Sequence, residues 1–434
     1  MKHKASKVMT IILSCALLLG VMGCTKSEPM DDAQSSEQVT LKFIWWGSEK
    51  RKEDTLKVIE LYRQENPHVL FETQVVSSTS ALSTQLAMDT ADQTTADIIQ
   101  GDYNFIFNYI DRDLIEPLDP WIENNTLDLS DVEPSYLEPG MKGDELYAMP
   151  VGNNAQSLVY DPELFSRLGV EVPAEGYTIE QLNDTMLQLK ERSGSADFYP
   201  LGNMIDVHYY LRSHGATMYN KEGNSLGYED DQILAGYFEL YSRWVKEGLL
   251  LKRASDSVKL NEEHPMITGK SALYNVSSNS VTTLSELAGR PMLLLPFPTT
   301  GSAEGSAIKP SMFLSISSYS KHKEEAAKFI DFFINDVEAN EILKGDRGLP
   351  VSSAISAHLA ESSDGVKEQK RLIDYLQSHS MPVDPPYPSN YVLLNNAYNL
   401  ALDNVIEGRM TPLEGARSYR EQVEDIMKDE AGIE

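Results

Sequence analysis

The sequence predicts an α/β protein whose first domain is built on a parallel sheet. Three observations carry this. Strand-like and helix-like segments alternate over residues 39–102. Apolar residues make up 41% of 434, enough to fill real cores, and no run after the first 24 residues approaches membrane-spanning length. The only cysteines are Cys15 and Cys24, both near the start, so the body holds neither a disulfide framework nor a thiolate metal cluster. Alternating strands and helices are the pattern of a layered sheet. The length exceeds one ordinary domain and points to two or three.

Charge removes one class of partner at once. There are 37 Lys and Arg against 66 Asp and Glu, a net charge of −29. Such a chain repels phosphate backbones, so nucleic acid is not expected as a partner.

The chain opens with an address. Lys2, Lys4 and Lys7 precede the apolar run Met9 to Gly23, which at 15 residues is too short to span a bilayer. A basic start, a short apolar stretch and small residues at its end read as a secretory signal peptide over 1–23. Val21-Met22-Gly23-Cys24 resembles a bacterial lipobox, although Met22 stands where a small residue is usual. That resemblance implies lipidation of Cys24 and a membrane anchor on the extracytoplasmic face, since two acyl chains hold a protein at a bilayer where one does not. Residues 24–38, polar and without periodicity, then read as a lipidated tether.

The body begins at residue 39. VTLKFIWW is rich in β-branched and aromatic residues and reads as a strand. Gly47-Ser48 breaks it. Leu56, Ile59 and Tyr62 then mark one face of a helix that Pro67 stops. HVLFETQVV alternates as a second strand, Leu82 and Leu86 suggest a second helix, and ADIIQGD is a short buried strand. At the other end, Leu394, Ala397, Ala401 and Val405 form a helical stripe with Gly408 as its stop. Thr411-Pro412-Leu413-Glu414 is a capping box opening a last helix.

Ligands of open α/β sheets bind at the carboxyl ends of the strands. Two loops sit there, Trp46-Gly47-Ser48-Glu49 and Gly101-Asp102-Tyr103-Asn104. Each sets hydrogen-bonding groups beside an aromatic, which suits a polyhydroxylated ligand with polar hydroxyls and apolar C–H faces. Alternation along the first strand predicts one of Trp45 and Trp46 in the core and one outward.

In order along the chain, LKFIWWGSE with TLKVIELYRQENP, ADIIQGDYN, LIEPLDPWI, LYAMPVGNNAQSLVYDPELFSRLGV, GKSALYNVSSNS, AAKFIDFFI and GLPV resemble segments of the extracellular solute-binding proteins of sugar ABC transporters, the family-one group related to maltose-binding protein. The resemblance covers nearly the whole body. It implies a two-lobed, periplasmic-binding-protein-like type II fold with a hinge and an interlobe cleft. Lobe one would be 39–152 plus 302–350, and lobe two 157–299 plus 352–434, with Pro150–Gln156 as the first crossing. It implies a monomeric receptor, not an enzyme, that needs no cofactor and no metal. Its partners would be a carbohydrate, ABC transporter permease subunits, and the membrane through its lipid anchor.

The expected ligand-binding residues follow by position: Trp46, Ser48 and Glu49 after the first strand; Asp102 and Tyr103 after the third; Asn154 and Gln156 at the crossing; His208 and Tyr209 within Asp206–Tyr210; Ser277 and Asn279 after the strand-like SALYNV; and Tyr387 in the proline-rich PPYPSNY. Ser48 is equally suited to cap a helix. Trp244, at helical spacing from Tyr237 and Tyr241, reads as core. Arg51, Lys52, Arg212 and Arg347 are the cations placed near the expected cleft, and the acidic body favours a neutral oligosaccharide over a uronate.

Two other classes are carried. Adjacent Tyr209 and Tyr210 resemble the paired phenolate ligands of ferric-ion receptors of the same broad fold. A surface glycosidase or esterase is the third reading, but no G-x-S-x-G and no H-E-x-x-H is present. Gly269-Lys270-Ser271 lacks the earlier glycine of a phosphate loop, since that position is His264.

Overall fold

The computed structural model describes residues 38–92, 94–252 and 259–430. The expected signal peptide and Cys24 lie outside these residues. Among the described residues, no helix is long and apolar enough to cross a membrane.

The larger sheet has five strands in the order Val69–Val76, Val39–Trp46, Ile98–Gly101, Phe313–Ile316, Met149–Pro150. The first three are parallel, as the alternation predicts. The fourth arrives from more than 200 residues later in the chain and runs antiparallel, Phe313 facing Gly101. Both faces are covered, so Val39–Trp46 is apolar almost throughout. Leu41, Phe43 and Trp45 face a cluster with Val58, Tyr62, Phe329 and Phe333. Ile44 faces the opposite cluster with Leu82, Leu86, Ile99 and Ile106. Trp45 is fully buried and Trp46 only partly.

A second sheet orders Leu273–Ser277, Gln156–Tyr160, Leu293–Leu295, all antiparallel neighbours. One side carries the largest core, where helices Asp231–Lys246, Tyr391–Ile406 and Pro412–Glu430 pack together. Trp244 is fully buried there and donates Nε1 to Asn183 at 2.9 Å. The capping box forms: Glu414 N donates to Thr411 Oγ1 at 3.3 Å, and Thr411 N to the Glu414 carboxylate at 2.8 Å.

Between the two sheets the chain crosses three times. Gly152–Asn154 lies in the middle of a small antiparallel sheet, flanked by Lys309–Pro310 and Leu349–Pro350. Before the return crossing the chain stays tied to the second sheet's side: Thr299 N donates to Tyr177 O and Ala303 N to Ser213 O. The fold is the expected two-lobed type II architecture, with hinge strands held edge to edge.

Candidate functional site

The strand Ile98–Gly101 ends at Asp102, whose extended backbone starts the helix Tyr103–Asp111. Its Oδ1 accepts from Asn104 N at 2.9 Å and from Asn104 Nδ2 at 3.0 Å. One carboxylate oxygen is thus a helix cap. Opposite, Asp206 does the same for Val207–Ser213, accepting from Tyr209 N at 2.9 Å. Two capped carboxylates, one from each side, thus border a single cavity of about 280 Å³ at the hinge.

The walls bring together Asp102, Tyr103, Asn154, Gln156, His208, Tyr209, Ser277 and Tyr387 of the expected set. The floor is the hinge: Asn154 and Lys309 pair in the crossing sheet. Gln156 and Ser277 face each other at the edge of the second sheet. Aromatic side chains come from Tyr103, Tyr209, Phe297 and Tyr387. Tyr209 is pinned, since its hydroxyl donates to Pro298 O at 2.7 Å. Tyr387 stacks on Tyr391 with centroids 4.0 Å apart and planes within 4°.

Trp46, Ser48, Glu49 and Asn279 are not among the residues lining this cavity. The turn after the first strand enters its helix at once, so Ser48 accepts from Arg51 N at 3.2 Å as the cap. Arg51 reaches back over the Trp46 ring, 5.2 Å from its centroid, and pairs with Asp346 at 3.1 Å. Asn279 donates to Asp346 O at 2.9 Å. Glu49 is exposed beside Lys52. These residues join the two sides at another corner, beside the third crossing.

Four charged residues lining the cavity were absent from the expected ligand set: Asp206, Lys309 and Asp384, and Arg212, which was expected only as a cation near the cleft. Asp206 and Arg212 flank the expected His208 and Tyr209, so helical neighbourhood was the available signal. Lys309 and Asp384 carry no local signal, because the first lies on a two-residue hinge strand and the second in an irregular stretch between helices. The Asp384 carboxylate sits 3.3 Å from Arg212 Nη1 and 3.4 Å from His208 Nδ1. Arg212 Nε donates to Gly305 O at 2.7 Å. Burial pushes the Asp384 carboxyl up, but the His208 hydrogen bond and the Arg212 charge outweigh it and hold it below the usual carboxylate value. Burial lowers the Lys309 ammonium, opposed by the charges of Asp102, Asp206 and Asp384. Burial, aided by Asp384, pushes the Tyr103 phenol up to about 12.

Tyr209 and Tyr210 diverge. Tyr209 meets the cavity, while Tyr210 stacks on His214 at 4.3 Å and packs on Tyr237. Consecutive helical residues point about 100° apart, which separates the pair the ferric reading needs together. Burial also raises both phenols, disfavouring phenolate.

Residues 47–339 match the model of a family described as bacterial extracellular solute-binding protein. The structure is similar to an extracellular solute-binding protein of family 1 from Alicyclobacillus acidocaldarius, at TM-score 0.75 and 27% identity, covering 91% of this chain and 100% of that one. It shares its fold with a periplasmic oligogalacturonide-binding protein of Yersinia enterocolitica in complex with saturated digalacturonic acid, at TM-score 0.72, 21% identity, and coverage of 90% and 99%. The same holds for the GacH receptor of Streptomyces glaucescens, solved unliganded and with acarbose, at TM-score 0.72, 19% identity, and coverage of 91% and 100%.

Proposed function

Because the chain belongs to the bacterial extracellular solute-binding protein family, we propose that it captures a carbohydrate, an oligosaccharide, between two closing lobes and delivers it to an ABC importer. The observation that carries this is the composition of the interlobe cavity. Carboxylates, amides and serine hydroxyls share one space with the rings of Tyr103, Tyr209, Phe297 and Tyr387. Carboxylates and amides grip hydroxyl pairs, and ring faces cover sugar C–H faces. The carbohydrate complexes of the Yersinia and Streptomyces proteins of the same fold support the same class.

The mechanism is closure. A ligand that touches one lobe first gains further bonds only when the second lobe arrives, and only that excess affinity drives the closing. A micromolar ligand corresponds to about −8 kcal/mol. A few charge-assisted hydrogen bonds at roughly 1.5–3 kcal/mol each reach that figure after ordering costs. The closed form is then what permease subunits recognise. In this reading Cys24 carries the lipid anchor, the protein works as a monomer on the outer face of the membrane, and the chain divides into lobes close to the boundaries given above, with the return to lobe one at Lys309–Pro310 rather than at 302.

Thermal unfolding against a panel of mono- and oligosaccharides tests the proposal. A ligand at 100 times its Kd adds about 2.7 kcal/mol to the native state and raises the midpoint. A rise confined to one sugar class names the ligand. A flat panel, with ferric iron and short peptides included, removes carbohydrate as the cargo.

A further inference from the structure

Lys309 stands on the hinge strand itself, its backbone paired with Asn154 at the floor of the cavity. Its ammonium lies 5.4 Å from the Tyr103 ring centroid and 5.9 Å from that of Tyr387, so it sits between a ring of the first lobe and a ring of the bridging loop. Among the described residues its side chain has no hydrogen-bond or ion-pair partner, although it is half-buried and burial lowers the ammonium. The three carboxylates of the cavity are each engaged elsewhere. Asp102 and Asp206 cap their helices, and Asp384 is held by Arg212 and His208. Their charges reach the ammonium through space, but none lies within ion-pair distance of it.

An ammonium partly withdrawn from water without a partner carries a desolvation cost, and a group that supplies one gains a strong charge-assisted bond. Asp102 and Asp206 retain acceptor capacity for hydroxyls, since each caps its helix through Oδ1 alone. One unmatched cation between ring faces, with hydroxyl acceptors on both sides, is complementary to a sugar acid. We propose that the ligand is an acidic saccharide whose carboxylate docks on Lys309 while its hydroxyls meet Asp102 and Asp206. This rests on the carbohydrate reading above and replaces the neutral sugar expected from net charge. Net charge describes the far field, whereas the contact is decided by the unpaired group at the floor.

The test is calorimetry of the purified protein with matched pairs: galacturonate- and glucuronate-ended di- to tetrasaccharides and their neutral parent sugars. The wild type should prefer an acidic member to its neutral parent by roughly tenfold or more. Lys309→Met should remove that preference, and Lys309→Arg should keep most of it. The preference in the wild type needs no variant, so a poorly folding Lys309→Met does not blunt the test. Equal or tighter binding of the neutral parent overturns the acidic assignment and leaves the carbohydrate reading standing. Equal loss of acidic and neutral binding in Lys309→Met also overturns it, because Lys309 would then serve hydroxyls only. Absence of binding by every saccharide overturns the carbohydrate reading and this one with it.

Discussion

The Tyr103 hydroxyl donates to the backbone carbonyl of Asp384 at 3.0 Å, joining residues 281 positions apart. Tyr103 belongs to the core of the first lobe. Asp384 lies between the helices Asp364–Leu376 and Tyr391–Ile406, both packed on the second. Val383, its neighbour, packs against the Tyr103 core, while the Asp384 carboxylate is bound to Arg212 and His208. The segment is therefore a strap across the cleft, attached by backbone on one side and by carboxylate on the other.

Opening the cleft must break one of these attachments. Tyr103→Phe keeps the ring in the wall and removes only the hydroxyl. We expect ligand affinity to fall by roughly threefold to tenfold, in line with one hydrogen bond of about 0.5–1.5 kcal/mol. Calorimetry with the cognate sugar reads this. Unchanged affinity would show that the bond contributes nothing to the closed state.

The strap also carries a pH signature. The Asp384 carboxyl is held below its usual value, so its contribution is full above the unfolded value of about 3.9 and is lost progressively as pH falls below it. Melting midpoints of the wild type and Asp384→Asn should differ while the carboxyl is ionised, at about pH 5 and above, and converge below about pH 4. A difference that persists undiminished at pH 3 would contradict the assignment.

Asp102 has two separable roles, cap and ligand acceptor. Asp102→Asn retains a capping oxygen and should melt near the wild type, yet bind the sugar about tenfold or more weakly. Asp102→Ala should lose the same affinity and in addition about 1 kcal/mol of stability. Wild-type affinity in the asparagine variant would remove Asp102 from the binding site.

Gly348 guards the third crossing. Its φ is +91°, and a Cβ there would stand 2.7 Å from Asn153 O and 2.8 Å from Asn154 Oδ1. Gly348→Ala should cost roughly 1–3 kcal/mol, read as a lower urea midpoint. A midpoint matching the wild type would mean the hinge sheet yields freely at this point.

Much of the architecture was legible in short stretches of chain. The three opening strands, the helix that Pro67 stops, and the Thr411–Glu414 box are specified by contacts within a few residues, which a sequence displays directly. The Trp45 and Trp46 alternation was equally readable, because strand geometry alone turns successive side chains to opposite faces. The segment Asp206–Tyr210 was recognisable as chemistry, though not as the helix cap of Asp206 and the His208 contact to Asp384 that it provides.

Short-range information in the chain thus settled the elements, their caps, the first crossing, and the loops at the ends of the parallel strands. Which of those loops reaches the cavity depends on packing between distant segments. Ser48 became a cap beside the Arg51–Asp346 pair, while Asp102, with the same local signals, borders the cleft. The same packing set Lys309 and Asp384 beside Tyr103, more than 200 residues away along the chain. Such neighbours are fixed by how two lobes and three hinge strands pack, and that packing is a property of the whole chain that no single segment carries.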